Sequence, residues 1–299
     1  MRGDSPVVAV QSAHPSRDAS AQFRVDSSLV LVNVAARDSR NRSVVDLNRA
    51  SFQVFDDKVE QTIAFFFRDE APVSVGIVFD ASGSMSGSVG KSREAVRRFC
   101  ESAAGGDEFF LVLVQGQAEK RGDPSADCDS IAGQLLSVPA RGYTALLDGI
   151  YLGVQQLRRA ANARKALLVI SDGADNASRY REQDVRRLVE ESDVQIFSIE
   201  MNADFAQHEP LMETIASSGI LEELSASTGG SWFRIPSEKS LAEAAARAGF
   251  ELHNQYVLGY RPLSTRDGRY HHVSVKVVPP PGRPRMRISY RSGYYAPER

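Results

Sequence analysis

The sequence has little cysteine, no long apolar run and no surplus of charge, and each shortage closes off a class of protein. Cysteine occurs twice, at Cys100 and Cys128. At most one disulfide can form, so a small disulfide framework is excluded, and two thiols cannot complete a zinc site by themselves. No apolar stretch approaches the roughly 18 residues of a membrane-spanning helix; the longest resemble Ala64–Phe67 and Val73–Phe79. Lysine and arginine number 36 against 38 aspartates and glutamates, a formal charge of −2. That balance removes a globally basic polyanion binder and an acidic solvating tail. What is present is 299 residues, 42% hydrophobic and 25% charged, the composition of a core-bearing globular protein with one or two domains.

Residues 1–21 mix small, polar and turn-forming types without period and read as a disordered lead-in. No basic segment followed by an apolar one marks a signal peptide there, although a chain cut after such a signal would read the same. From Phe23 to Phe67 the pattern is β: a Val- and Leu-rich run over 25–36, then Phe52–Phe55 and Val59–Phe67 flanking the short polar loop Asp56-Asp57-Lys58. At Ala71-Pro72 the pattern changes. Val73–Phe79 is nearly continuous in apolar residues, as in a strand buried on both faces of a parallel sheet. Helical and strand signals then alternate through a helix over Ser240–His253, which implies βαβ units. After that helix the chain returns to β at 256–260, 270–278 and 285–290. The expected architecture is therefore α/β: a mostly parallel sheet with helices on both faces (72–253), inserted into a β-sandwich-like domain built from 22–71 and 254–299.

Three short segments carry the chemistry. Asp80-Ala-Ser82-Gly-Ser84 follows the first α/β strand, Gly142-Tyr143-Thr144 opens a helix, and Ser171-Asp172-Gly173 closes the strand over 165–170. In a sheet of order 3-2-1-4-5-6 the ligand crevice lies between strands 1 and 4. The 165–170 run is strand 4 only if a short edge strand lies between Val114 and Ala140. Two carboxylates (Asp80, Asp172) and three hydroxyls (Ser82, Ser84, Thr144) make an all-oxygen set suited to a hard cation, Mg²⁺ or Mn²⁺ before Ca²⁺. Neutral hydroxyls leave much of the ion's charge unquenched, which favours an incoming carboxylate.

Together these residues resemble the metal-ion-dependent adhesion site of von Willebrand factor type A (VWA) domains, with all five ligand positions filled. The resemblance spans roughly residues 72–252. The flanking β segments and the closing Arg-Ser-Gly-Tyr-Tyr-Ala-Pro are similar to bacterial VWFA-related proteins of the Acidobacterial type. It implies a Rossmann-like domain that binds a protein ligand through Mg²⁺ without chemical turnover, with Asp80 and Asp172 coordinating directly or through water. The accompanying expectations are an extracytoplasmic protein, secreted or periplasmic, no nucleic-acid partner and no integral membrane segment.

Competing readings rest on single features. Gly90-Lys91-Ser92 imitates a P-loop, but the first glycine of that pattern falls on Met85. Gly83-Ser-Met-Ser-Gly87 fits part of a nucleophile elbow, yet none of the five histidines lies in the loops of Asp80, Thr144 or Asp172. Alternatives left open are a metal-independent structural or assembly module and a Mg²⁺-dependent phosphoester or nucleotide hydrolase. Asp148 reads as a first-turn carboxylate of a helix or an acceptor behind the site, and Asp175 and Asn176 as loop-shaping residues. Arg283, Arg285, Arg287 and Arg291 alternate with apolar residues and read as a solvated face. The tripeptide Arg-Gly-Asp at 2–4 and 121–123 receives no function. Cys100 falls on the first α/β helix and Cys128 in a loop, and the reading leans to two free thiols.

Overall fold

The computed structural model describes residues 29–135, 138–201, 219–262, 267–280 and 282–298. The expected lead-in over 1–21, and the start of the helix expected from residue 209, lie outside these residues. In chain order the elements are β1 (Val30–Arg37), β2 (Phe52–Asp56), β3 (Val59–Gln61), β4 (Phe65–Arg68), β5 (Val73–Asp80), α1 (Val89–Cys100), β6 (Glu108–Val114), β7 (Ala118–Ser125) and α2 (Cys128–Gly133). They continue with α3 (Leu146–Leu157), β8 (Arg164–Ser171), α4 (Glu182–Glu190), β9 (Val194–Met201), α5 (Ile220–Thr228), β10 (Trp232–Ile235), α6 (Leu241–His253), β11 (Tyr256–Tyr260), β12 (Tyr270–Val277), β13 (Arg287–Tyr290) and β14 (Gly293–Tyr295).

The central sheet has the order β10-β9-β8-β5-β6-β7, parallel except for β7, which runs antiparallel at the edge. This is the expected 3-2-1-4-5-6 order, and β7 is the edge strand on which that expectation depended. All eight residues of β5 are buried, because helices cover both faces. One face packs Ile77, Phe79, Leu111 and Leu168 against Phe99 of α1 and Leu241 and Ala245 of α6. The other packs Val78, Val112 and Val169 against Ile150 of α3, Leu188 of α4 and Leu221 of α5. Helices α1 and α6 approach so closely that a Cβ on Gly249 would lie 2.1 Å from the Phe99 carbonyl oxygen, so glycine is required there.

Strands from both chain ends form two antiparallel sheets, β13-β1-β11-β4 and β14-β12-β2-β3. Their inward residues, among them Val32, Val34, Val54, Tyr256, Leu258 and Val273, share one core, which makes a β-sandwich of the head and tail of the chain. The β2–β3 turn places Asp57 and Lys58 at φ 45° and 71°, the left-handed pair that suits the twist of a two-residue hairpin. The run Val59–Phe67, read as one strand, is divided. Val59–Gln61 pairs with β2 and Phe65–Arg68 with β11, and the intervening residues cross between the sheets with Ile63 buried in the shared core.

In the sandwich core, buried Asp56 accepts the hydroxyls of Tyr260 and Tyr294, both at 2.9 Å. Burial first, and the Asp56 carboxylate with it, pushes both phenols well above the usual tyrosine range. His271 bonds through Nδ1 to Asp57 and through Nε2 to Asp267, at 2.9 and 3.1 Å. The alternating arginines of the last strand region do find partners at two positions: Arg283 pairs with Asp46 and Arg291 with Asp193.

The reading of two free thiols is overturned. Cys100 and Cys128 form a disulfide, with Cα atoms 6.3 Å apart. Cys128 is not in a loop but opens α2, whose first turn is capped by the Asp127 side chain accepting the Asp129 N–H at 3.0 Å. That short helix brings it beside the carboxyl end of α1.

Candidate functional site

Strand β5 carries Asp80 to the carboxyl end of the sheet, between β6 and β8. Phe79 is registered with Ile170 on β8, so the next residues, Asp80 and Ser171, meet across the two strands. The Ser171 hydroxyl donates to Asp80 Oδ2 at 2.7 Å. The other oxygen, Oδ1, accepts the backbone N–H of Ser82 at 2.9 Å. Just past Asp80 the chain tightens into a single turn over Gly83–Met85, which sets the Ser82 and Ser84 hydroxyls 3.1 Å apart.

The loop before α3 lies directly against this turn. Arg141 donates its N–H to the Ala81 carbonyl at 3.0 Å, and Gly83 donates to Gly142 at 3.2 Å. Gly142 sits at φ 78°, a conformation open to glycine, and turns the chain into Thr144. Gln115 Nε2 closes the same corner by donating to the carbonyls of Ala81 and Pro139, at 3.1 and 2.7 Å. The Thr144 N–H donates to Asn176 Oδ1 at 2.8 Å, and its carbonyl accepts the N–H groups of Asn176 and Ala177. The loop after β8 is thereby tied to the helix start, and Asp172 lies between them with Oδ1 accepting the Ala174 N–H at 3.1 Å.

The structure thus brings the loops of Asp80, Ser82, Ser84, Thr144 and Asp172 to one crevice. Asp80 is fully buried and Asp172 is 8% exposed. Among the described residues, no arginine, lysine or histidine lies in ion-pair range of either carboxylate. Burial first, then the charge of Asp172, push the Asp80 carboxyl up to about 6, against the hydrogen bonds from Ser171 and Ser82. Two uncompensated carboxylates, with the hydroxyls of Ser171, Ser82 and Ser84 beside Asp80, suit a hard divalent cation, whose charge would relieve the repulsion.

Three neighbours are assigned by their bonds. Asp148 does not serve its own helix: Oδ1 accepts the N–H groups of Arg179 and Tyr180, at 2.9 and 3.0 Å, and Oδ2 receives Arg179 Nε at 3.1 Å. Asp175 Oδ1 accepts the Leu147 N–H and the Ser178 hydroxyl. Asn176 and Asp175 therefore shape the loop, as expected. Ser171 is the positioning residue that sequence reasoning missed; its only signal was a hydroxyl immediately before Asp172 at a strand end. The P-loop imitation dissolves, since Lys91 is paired with Glu238.

The family model of the von Willebrand factor type A domain matches residues 75–174, the stretch from β5 through the Asp172 loop. That stretch is similar to VWA domains. Solved structures with this fold include a von Willebrand factor type A protein from Catenulispora acidiphila, 13% identical, covering 81% of this chain and 72% of that one with a TM-score of 0.51. Proximal thread matrix protein 1 from the mussel byssus is 17% identical, covering 66% of this chain and 51% of that one with a TM-score of 0.52. None of the curated proteins matches this chain significantly. Among the described residues, no helix is long and apolar enough to cross a membrane.

Proposed function

We propose that this chain is a non-enzymatic binding protein whose VWA domain holds a divalent cation, Mg²⁺ or Mn²⁺, and takes a carboxylate of a partner protein there. The observation that carries the reading is the buried pair Asp80 and Asp172, left without a cationic side chain among the described residues. When bound, the ion would supply Lewis acidity and an exchangeable coordination position for the partner's oxygen. The chain's own residues do the rest. Asp80 and Asp172 give the negative charge, Ser82, Ser84 and Thr144 give neutral oxygens, and Ser171 and the Ser82 N–H fix the rotation of the Asp80 carboxylate. Among the described histidines, His253 bonds Asp107 and His271 bonds Asp57 and Asp267, which supports the reading without turnover.

The Cys100–Cys128 disulfide favours an oxidising compartment, and with it an extracytoplasmic location. The metal-independent assembly reading draws on a different observation. The three loops are already tied to one another by the bonds of Thr144, Asn176, Gly83 and Gly142, an arrangement that needs no ion to form. Titration calorimetry with Mn²⁺ and Mg²⁺ on wild type and Asp80→Ala separates the two. The binding reading requires a saturable heat in wild type that the variant lacks; no heat in wild type leaves the assembly reading standing.

A further inference from the structure

The loops that converge on Thr144 also carry groups that the cation reading does not use. Arg141 is exposed, its backbone held by the bond to Ala81, and its guanidinium has no ion-pair partner among the described residues. Tyr143, on the other side of Gly142, is 57% exposed. Across Thr144, the loop fastened to its carbonyl by Asn176 and Ala177 continues to Arg179, whose side chain is 85% exposed although Nε is held by Asp148. That bond holds the guanidinium at Nε while most of the side chain stays exposed.

The acids in the same loops are occupied. Asp148 is buried against Arg179, and Asp175 is bonded to Leu147 and Ser178. Glu238 is paired with Lys91. Further along, Asp184 accepts the backbone N–H of Arg181 at 3.0 Å and caps the start of α4. Among the described residues the acids of these loops are thus engaged, while the Arg141 guanidinium has no ion-pair partner and that of Arg179, held at Nε by Asp148, stays largely exposed. Two such cations a few residues from a carboxylate-binding centre are complementary to a second negative charge on the same ligand, and an exposed tyrosine beside them is the residue type that most often anchors an interface.

We propose that the partner is an acidic protein segment with a second carboxylate next to the one taken at the cation, that Arg141 and Arg179 receive this second carboxylate, and that Tyr143 packs against the segment. The proposal rests on the carboxylate-binding reading above and adds to it the selection among acidic ligands. A lone carboxylate meets only the ion, whereas a run of them also meets the guanidinium groups. Exposed pairs of this kind are modest, so each arginine should contribute roughly threefold in affinity at low salt, and the preference should shrink as salt screens it.

The test uses the full chain loaded with Mn²⁺ and two fluorescent synthetic peptides, one with a single glutamate in a glycine–serine background and one with three consecutive glutamates. Anisotropy should show wild type preferring the triglutamate peptide by about tenfold at low salt. The Arg141→Gln and Arg179→Gln variants should each lose about threefold of that preference and Arg141→Glu most of it, while Mn²⁺ affinity by electron paramagnetic resonance and affinity for the single-glutamate peptide stay unchanged. A preference that survives in Arg141→Gln and Arg141→Glu overturns the proposal and leaves the carboxylate reading intact. Mn²⁺ uptake with no binding of either peptide defeats the carboxylate reading itself, and this proposal with it.

Discussion

Ser171 donates its hydroxyl to Asp80 Oδ2 at 2.7 Å, across the junction of β8 and β5. Because Oδ1 is held by the Ser82 N–H, the carboxylate is fixed at both ends in a site where it is fully buried. Residues that orient a metal ligand without touching the ion typically matter by about 10–100-fold in affinity. Ser171→Ala should therefore weaken Mn²⁺ binding by at least about tenfold, and Asp80→Ala should abolish it. Calorimetric titration of both variants checks this; unaltered affinity in Ser171→Ala would remove the positioning role.

The Cys100–Cys128 bridge closes a loop of 28 residues between α1 and α2. The chain-entropy argument gives such a loop about 3–4 kcal/mol. Cys100→Ser with Cys128→Ser, or reduction of the wild type, should lower unfolding free energy by about 2–4 kcal/mol in urea melts. Mn²⁺ affinity should be unaffected, since the bridge lies on the helices and not in the crevice loops.

Arg37 of β1 and Glu251 of α6 form an ion pair at 3.1 Å with side chains only 12% and 3% exposed. Burial holds the Glu251 carboxyl above its ordinary range, against the Arg37 charge and the Ser231 hydroxyl. Removing the cation alone strands a buried acid, so Arg37→Met should cost on the order of 3 kcal/mol. Arg37→Met combined with Glu251→Met should recover most of it. Equal losses in the single and double variants would show that the pair is not coupled.

Acid and alkali act on opposite members of the His271 cluster. Burial pulls the His271 pKa down, but the bond and charge of Asp267, with Asp56 and Asp57, outweigh it and the net shift is upward. Its contribution to stability is thus complete below about 6.5 and is lost as pH rises through the higher folded value. Asp57 and Asp267 are lowered, chiefly by the backbone N–H groups of His272 and Arg269; their contributions are present above about 3.9 and fade as pH falls through the folded values. Melting temperature should decline from pH 6 to pH 8.5, and His271→Gln should be less stable at pH 6 and lack that decline. A parallel slope in the variant would assign the pH dependence elsewhere.

What was legible in the sequence was whatever a local pattern determines. Val73–Phe79 announces a two-face-buried strand by being almost wholly apolar, Asp80 and Asp172 stand at the ends of such runs, and Thr144 stands at the start of a helix. Less legible was anything decided by distant packing. The division of Val59–Phe67 depends on which sheet each half joins, and α2 is too short for a periodic signal. The disulfide depends on that helix placing Cys128 beside α1. Gly293–Tyr295 was passed over as a strand because its three residues gain that state only by pairing with β12. The same holds at the crevice. Ser171 and Gln115 act through bonds to residues 91 and 34 positions away, and Asp148 looks like a helix-start residue until the Arg179 loop folds over it.

The strands that lead into and out of the inserted α/β unit, β4 and β11, are hydrogen-bonded neighbours, with Arg68 opposite Tyr256. The unit is in effect a closed bight on the sandwich. Tension applied between the two flanks of the sandwich would run through the β1–β13 and β2–β12 ladders and bypass the crevice. A pull exerted by a ligand at the crevice would reach the sandwich through the β4–β11 seam together with the Arg37–Glu251 and Arg291–Asp193 pairs. A load from a ligand would therefore be shared between that backbone seam and these side-chain ties.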